Sequence, residues 1–156
     1  HGVLSGVIQT NHQQQAHFDQ RIMEYYGGNV TGKRITIWGG SFKPRTDDIR
    51  NAPSLTVINR LMEAGAKITV YDPVANANLK KMYGDAVVVA PKMYPSIEGA
   101  QGLAVVTEWR EFHFPAFEKM AAVMEDRVIF DGRNLYSPKT LEQHGFHYIS
   151  IGRPAI

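Results

Sequence analysis

The 156-residue chain contains no cysteine. Within these residues, that absence excludes disulfide bonds, thiolate metal ligands and a thiol nucleophile. The six histidines do not form a metal-binding pattern either. His144 and His147 are three positions apart, but Gly145 lies between them and no carboxylate stands at ligand spacing. The sequence therefore predicts no metal site in this chain.

An excess of one charge and a long apolar run are also missing. The 17 Lys and Arg residues nearly balance the 15 Asp and Glu, which leaves a net charge of +2. That charge is too even to predict a nucleic acid or a membrane surface as a partner. No apolar run approaches the roughly 20 residues that a membrane-spanning helix needs, and residues 1–15 do not resemble a signal peptide. We therefore expect a cytoplasmic chain, with enough residues for one domain.

From Lys33 onward, apolar runs alternate with amphipathic stretches. Six runs predict strands: RITIWGG, KITVYDP, DAVVVAP, LAVVTEW, RVIFDGRN and HYISIG. Four stretches between them predict helices: APSLTVINRLMEAGA, NANLKKMYG, PAFEKMAAVME and PKTLEQHG. Several of the strand runs are continuously apolar, which is typical of parallel strands covered on both faces. The predicted fold class is α/β, a Rossmann-like, mostly parallel sheet of about six strands flanked by helices and preceded by an N-terminal helix.

The N-terminal helix is predicted from Leu4 to Tyr26 and ends at two glycines, Gly27 and Gly28. Its middle part, QTNHQQQAHFDQ, is polar on most faces. Such a helix has to rest against another domain or subunit. We therefore expect two units, a connecting helix over residues 1–31 and a ligand-binding domain over residues 32–156.

Charged residues follow three of the predicted strands. The first group is the loop WGGSFKPRTDDIRNAP, from Trp38 to Pro53, after strand one. Asp72 follows strand two, and the string FDGRN, with Asp131 and Arg133, follows strand five. Ligands of open parallel sheets bind beyond the carboxyl ends of the strands. These loops are therefore the candidate site.

The first loop lacks the G-x-G-x-x-G pattern that holds a dinucleotide, because only Gly39 and Gly40 are present. The domain is therefore a poor candidate for holding NAD alone. The loop carries cationic side chains instead. Lys43 has a compact positive charge, and the planar guanidinium of Arg50 can donate two hydrogen bonds to phosphate oxygens. The helix that begins near Pro53 adds a positive end that favours anions.

A structural alternative exists for the charges of this loop. Asp47 and Asp48 can simply pair with Arg45 and Arg50 in a solvated network of small energetic consequence. Sequence composition alone favours this alternative over a ligand site.

The other two groups also have structural alternatives. Asp72 can contact a ribose, as an acid after strand two does in dinucleotide binders, but an ordinary turn is the favoured interpretation. Arg133 can bind a ligand or pair with Asp131, and the sequence favours neither of these two interpretations. Trp38 and Trp109 stand at strand ends and are expected to be core or interface aromatics.

Several strings occur together in one known family. The stretch GGSFKPRTDDIRNAPSLTVINRLMEAGAKITVYDP resembles the C-terminal domain of the UDP-glucose/GDP-mannose dehydrogenase family. The pattern there is G-x-x-FK-x-x-T-x-D-x-R-x-(S/A)-P, then a helix, then GA-x-(V/I)-x-x-YDP. Two further family strings, TEWREF and VIFDGRN, follow in the expected order. The resemblance covers Gly32 to Arg153, and the N-terminal segment resembles the end of the long helix that joins the two halves of such enzymes.

The resemblance implies roles for individual residues. Phe42 and Lys43 would contact a nucleotide-sugar substrate, and so would Arg133, from a neighbouring subunit or across a shared cleft. Arg50 would contact NAD from the side of the substrate domain. The loop would then be charged because it serves two anionic ligands, and its acids would orient the cations.

The resemblance also implies a reaction. Members of the family oxidise a primary alcohol of the sugar to a carboxylate in two NAD-dependent steps, through adducts on a cysteine. A chain without cysteine or a dinucleotide fingerprint should not catalyse this alone. UDP-glucose is the expected substrate, with GDP-mannose and UDP-N-acetylmannosamine as alternatives. We expect a homodimer or higher homo-oligomer of the full enzyme; a stand-alone nucleotide-sugar-binding module and a structural dimerisation domain are the other interpretations.

Overall fold

The computed structural model describes residues 17–156, and six parallel strands form one sheet there. The strands are β1 (Arg34–Trp38), β2 (Lys67–Tyr71), β3 (Val88–Val89), β4 (Gly102–Val105), β5 (Val128–Asp131) and β6 (His147–Ser150). Their order in the sheet is β3-β2-β1-β4-β5-β6, and every neighbouring pair is parallel. The predicted Rossmann-like α/β fold is confirmed.

Helices connect the strands and cover both faces of the sheet. They are α1 (17–25), α2 (Pro53–Glu63), α3 (Asn76–Tyr83), α4 (Phe117–Val123) and α5 (Pro138–Gln143). A 3-10 turn at Pro95–Ile97 precedes β4. The third predicted strand is much shorter than its apolar run, because β3 is an edge strand and Val88 is 61% exposed. No helix within residues 17–156 has both the length and the apolar character to span a bilayer.

Side chains of the central strands alternate between two separate cores. Ile35 and Ile37 of β1 enter one core, and Trp38 enters the other. Leu103 and Ala104 of β4 divide in the same way. This follows from the two-residue period of a strand, and it explains why the runs are apolar at successive positions rather than at alternate ones.

The described part of the first helix packs into the first of these cores. Phe18 is 5% exposed and Ile22 is fully buried. At the end of the helix, the Tyr26 hydroxyl donates to the backbone oxygen of Gln101 at 2.6 Å. Most of the polar stretch lies in residues 1–16, outside the described residues, so the predicted division at residue 31 stays a prediction.

The order of the strands reverses direction between β1 and β4. Chain segments leave β1 toward β2 on one side, and the later strands β4 to β6 continue on the other side. At such a switch point, the loops that follow the two central strands diverge and open a crevice at the carboxyl edge. The loop after β1 and the string TEWREF after β4 both lie at this point.

One acid of α1, Asp19, is buried beside an arginine. The Asp19 side chain is 1% exposed, and neither carboxylate oxygen has a hydrogen-bond partner among the described residues. The nearest cation is Arg60, whose Nε lies 3.5 Å from Oδ2. Burial raises the pKa of Asp19 to about 7, although Arg60 opposes the change.

The raised pKa gives the stability of the fold a pH dependence. An Asp of ordinary pKa ionises freely in the unfolded chain near pH 4, whereas the folded state resists ionisation until about pH 7. Stability is therefore lost as the pH rises through this window. Asp19→Asn should be more stable than the wild type by about 1–3 kcal/mol at about pH 8, with a smaller difference at about pH 4.

Urea unfolding at the two pH values measures this difference. Asp85→Asn, at a fully exposed side chain, controls for the loss of one negative charge. A stability difference for Asp19→Asn that is the same at both pH values would contradict the assignment.

Gly39 ends β1 in a conformation that only glycine adopts easily. Its φ is +95°, and a Cβ would lie 2.5 Å from the Thr107 Cβ and 2.8 Å from the Thr107 backbone nitrogen. Gly39→Ala should therefore lower the free energy of unfolding by at least about 2 kcal/mol, through strain and a clash with backbone.

Gly27→Ala is the matched control for this substitution. Gly27, at the C-terminal end of α1, also has a positive φ, of +69°, but its Cβ would meet nothing within 4 Å. It should cost only about 1 kcal/mol. Equal losses for the two variants in urea unfolding would show that the contact with Thr107 is unimportant.

Candidate functional site

Asp72 makes hydrogen bonds to the loops that follow β1, β2 and β4 at the carboxyl edge of the sheet. Its side chain is fully buried. Oδ2 accepts hydrogen bonds from four donors: Gly40 N at 2.9 Å, Ser41 N at 3.0 Å, Ser41 Oγ at 2.8 Å and Trp109 Nε1 at 3.1 Å. Oδ1 accepts from two more: Val74 N at 2.9 Å and Ala75 N at 2.8 Å. These contacts confirm the predicted turn and extend it to the loops after β1 and β4.

The contacts of Asp72 change what the turn after β1 can bind. In a dinucleotide-binding Rossmann fold, backbone amides at this turn approach the pyrophosphate. Here the amides of Gly40 and Ser41 donate to Asp72 instead. A carboxylate of the chain itself thus uses the donors that a phosphate would need, and this turn does not fit a dinucleotide.

Beyond Ser41, the loop turns outward and exposes two side chains. The Phe42 amide donates to the backbone oxygen of Asp48 at 2.7 Å, which closes the loop. Thr107 Oγ1 donates to the backbone oxygen of Ser41 at 3.0 Å. Phe42 is 52% exposed, and Lys43 is exposed and makes no ion pair within residues 17–156. An aromatic ring and a cation are thus presented by a backbone held on both sides.

The opposed charges of the loop form one close pair. Arg50 Nε lies 3.0 Å from Asp48 Oδ1, a terminal guanidinium nitrogen lies 3.0 Å from Oδ2, and the Arg50 amide also donates to Oδ1. The Arg50 hydrogen bonds lower the pKa of Asp48 to about 2. The predicted pairing of Asp48 with Arg50 is confirmed, whereas Asp47 and Arg45 make no ion pair in the part of the chain that the structure describes.

Arg50 lies beside an open cavity of about 790 Å³ between this loop and α3. Its lining residues are Thr46, Asp47, Asp48, Ile49, Arg50, Asn78, Lys81 and Met82. Phe42, Lys43 and Arg133 are not among them. The structure therefore separates Arg50 from the other predicted site residues and places it on the side of the loop that faces α3.

Asp131 organises the loop after β5 as Asp72 organises the loop after β1. Its carboxylate is fully buried and accepts from Arg133 N at 2.9 Å, Leu135 N at 2.7 Å, Tyr136 N at 3.2 Å and Tyr148 Oη at 2.6 Å. Burial, followed by the hydrogen bond to Asp131, raises the pKa of Tyr148.

The Arg133 guanidinium pairs with Glu108, whose Oε2 lies 2.5 Å from Nε. The alternative of a salt bridge between Arg133 and Asp131 is wrong, because the Asp131 carboxylate is buried and already bonded to backbone amides and a phenol. Arg133 remains 44% exposed, at the carboxyl edge two strands away from β1 in the sheet order β1-β4-β5.

Sequence reasoning missed the roles of Ser41, Trp109 and Glu108. Trp109 is a buried aromatic, as predicted, but its Nε1 donates to both Ser41 Oγ and Asp72 at 3.1 Å. A buried tryptophan usually donates its N–H to a hydrogen-bond partner, and this rule could have indicated that Trp109 has a polar contact. Since Glu108 directly precedes Trp109 in the chain and pairs with Arg133, the string TEWREF connects the Asp72 cluster to Arg133.

Comparison with protein families gives a match at the same residues. The profile of the "UDP-glucose/GDP-mannose dehydrogenase family, UDP binding domain" matches residues 36–138. UDP-glucose 6-dehydrogenase of Pseudomonas aeruginosa is 38% identical over 157 aligned positions, which cover 97% of this chain and 35% of that protein. UDP-glucose 6-dehydrogenase TuaD of Bacillus subtilis is 34% identical and is matched over 99% of this chain and 33% of its own length.

Solved structures share the fold. A UDP-glucose dehydrogenase from Pyrobaculum islandicum superimposes with a TM-score of 0.77 at 24% identity, over 95% of this chain and 31% of that one. A GDP-mannose dehydrogenase from Pseudomonas aeruginosa gives a TM-score of 0.66 at 16% identity, over 97% of this chain and 34% of that one. At these identities the likeness concerns the fold alone.

The chain spans about a third of the length of the curated relatives it matches. The matched profile begins within β1 and ends at the start of α5, so it includes every loop of the candidate site. The chain belongs to the UDP-glucose/GDP-mannose dehydrogenase family and contains the family's UDP binding domain.

Proposed function

We propose that this chain is the nucleotide-sugar-binding part of an NAD-dependent UDP-glucose 6-dehydrogenase, which converts UDP-glucose and two NAD to UDP-glucuronate and two NADH. Residues 1–31 would be the end of the helix that joins it to the rest of the enzyme, and residues 32–156 the UDP-sugar-binding domain. The observation that carries the proposal is the loop in which Phe42 and Lys43 are exposed from a backbone fixed by Asp72.

Phe42 and Lys43 bind the nucleotide sugar in this proposal. Lys43 supplies a positive charge for the diphosphate or for sugar hydroxyls. The exposed ring of Phe42 supplies an apolar surface beside it. Helix α2 begins 10 residues after Lys43, with Pro53 at its N-terminus and no acidic side chain in its first turn, so its positive end also favours an anion at this edge.

Arg133 binds the same substrate from a second loop. Glu108 pairs with its Nε, and the Arg133 side chain is still 44% exposed, so a ligand can reach the guanidinium. The family resemblance assigns this arginine to a neighbouring subunit or to the opposite side of a shared cleft. We therefore propose that the full enzyme acts as a homodimer or a higher homo-oligomer.

Arg50 contacts NAD from the substrate-domain side. The ion pair with Asp48 holds the Arg50 guanidinium at the rim of the cavity beside α3. Since the turn after β1 gives its amides to Asp72, the main dinucleotide site belongs to another part of the enzyme. The cofactor accepts the hydride from the sugar when it is bound, and in this proposal the present chain contributes only this cationic contact.

Two alternative functions also require the binding of a nucleotide sugar. A GDP-mannose or UDP-N-acetylmannosamine dehydrogenase would use the same loops with a different nucleotide or sugar. A stand-alone module would bind a nucleotide sugar without an oxidation step. The two UDP-glucose 6-dehydrogenases above, at 38% and 34% identity, favour UDP-glucose over the first alternative.

Lys43→Ala and Arg133→Ala test the binding assignment by isothermal titration with UDP. Each variant should weaken UDP binding by roughly 1.5–3 kcal/mol, because charge-assisted hydrogen bonds to phosphate are lost. Lys67→Ala is the control, since Lys67 is exposed and stands at the opposite, amino end of β2. Unchanged affinity in both site variants, or equal binding of UDP and sulfate by the wild type, would refute the substrate assignment.

The isolated chain should not reduce NAD in the presence of UDP-glucose. The turn after β1 does not fit a dinucleotide, because its amides donate to Asp72. The second oxidation of the family's reaction also requires a thiolate to hold the aldehyde, and these 156 residues contain no cysteine. Absorbance of NADH measured over hours at high protein concentration checks this. Formation of NADH by the purified chain would contradict the proposed division of labour.

A further inference from the structure

We infer that Asp72 is the positioning residue of the substrate loop, residues 40–50 after β1, and that it fixes Phe42 and Lys43 through Ser41 and Trp109. The inference deepens the proposed function and rests on it for the identity of the ligand. Asp72 itself is fully buried and has no surface to offer a substrate. Its effect on binding must therefore pass through the residues to which it is bonded.

One carboxylate oxygen holds the loop that carries the binding residues. Oδ2 accepts the amides of Gly40 and Ser41, which directly precede Phe42 and Lys43 in the chain. A third bond comes from the Ser41 hydroxyl at 2.8 Å. These three bonds to one oxygen atom restrain the backbone of Gly40 and Ser41 directly before the two binding residues.

The other oxygen fixes Asp72 to a rigid part of the fold. Oδ1 accepts the amides of Val74 and Ala75, directly before α3. The Asp72 amide donates to Asn76 Oδ1 at 2.9 Å, and Asn76 Nδ2 donates to the backbone oxygen of Ala90 at 2.9 Å. The carboxylate therefore cannot follow the loop if the loop moves, which is what a positioning residue requires.

Trp109 adds a contact from the loop after β4. Its indole N–H is shared between Ser41 Oγ and Asp72 Oδ2, at 3.1 Å each. Removal of this donor or of the Ser41 hydroxyl weakens the connection between Asp72 and the loop but leaves the two backbone amides in place. Ser41→Ala and Trp109→Phe are therefore mild variants that should fold, whereas Asp72→Asn puts a nitrogen where an acceptor is needed.

The matched control is a second buried serine bonded to a tryptophan. Ser96 Oγ accepts from Trp38 Nε1, a side chain of β1, at 2.9 Å, and the hydrogen bonds of Ser96 do not reach residues 40–50. Ser96→Ala thus removes a buried hydroxyl of the same kind, with a similar loss of stability, without touching Asp72.

Amide hydrogen exchange of the free chain is the first measurement. The Phe42 amide, which donates to Asp48, should exchange faster in Ser41→Ala and Trp109→Phe than in the wild type or Ser96→Ala, because local opening of the loop becomes easier. Unchanged exchange at Phe42 in both variants would overturn the inference. This readout needs no ligand, so it decides the positioning role even if the wild type fails to bind UDP, a result that would refute the proposed function alone.

Titration with UDP is the second measurement. Ser41→Ala and Trp109→Phe should each weaken binding by about 3- to 10-fold, which corresponds to the loss of one hydrogen bond, and Ser96→Ala should not. The weakening should be smaller in a Lys43→Ala background, because the part of it that depends on the placement of the lysine is already lost. Wild-type affinity in both single variants, or a loss that persists undiminished without Lys43, would contradict positioning through the loop.

Discussion

The buried carboxylate of Asp72 is the interaction on which the candidate site depends. A charge in the interior is costly unless it is fully hydrogen-bonded, and here six donors surround it. The carboxylate needs its donors, and the donors in turn lose their acceptor if the carboxylate is removed. Three loops that follow three different strands are thereby forced into one arrangement. The charged loop after β1 can extend outward because its base is fixed inside the protein.

In the proposed function, this arrangement explains how a Rossmann-like domain recognises a ligand without the usual glycine-rich turn. In dinucleotide binders the phosphate lies against backbone amides and a helix N-terminus. Asp72 occupies two of the corresponding amides from within, so an external phosphate must be recognised by side chains. Lys43, on the loop after β1, and Arg133, on the loop after β5, are the cations that the proposed function uses. The two loops share the carboxyl edge because all six strands are parallel.

The sequence predicted the parts of the structure that depend on local patterns. Apolar runs and glycine positions were sufficient for six strands and for the helices between them, although β3 is shorter than its run because an edge strand has one exposed side. The turn at Asp72 and the pair of Asp48 with Arg50 were also predictable, since their partners are within three positions. The remaining contacts were not. Ser41, Asp72 and Trp109 are more than 30 positions apart from one another, and Arg133 pairs with Glu108, 25 positions earlier, instead of its neighbour Asp131. Only the folded sheet brings these residues together.

The most direct test of this account is an NMR titration of the ¹⁵N-labelled chain with UDP. If the nucleotide binds beside the loop fixed by Asp72, the largest amide shift changes should occur over residues 40–43 and in the neighbouring loop around Trp109. Amides at the amino ends of β1 and β2 should change little. Changes concentrated at the amino edge of the sheet, or spread evenly over the surface, would contradict the account.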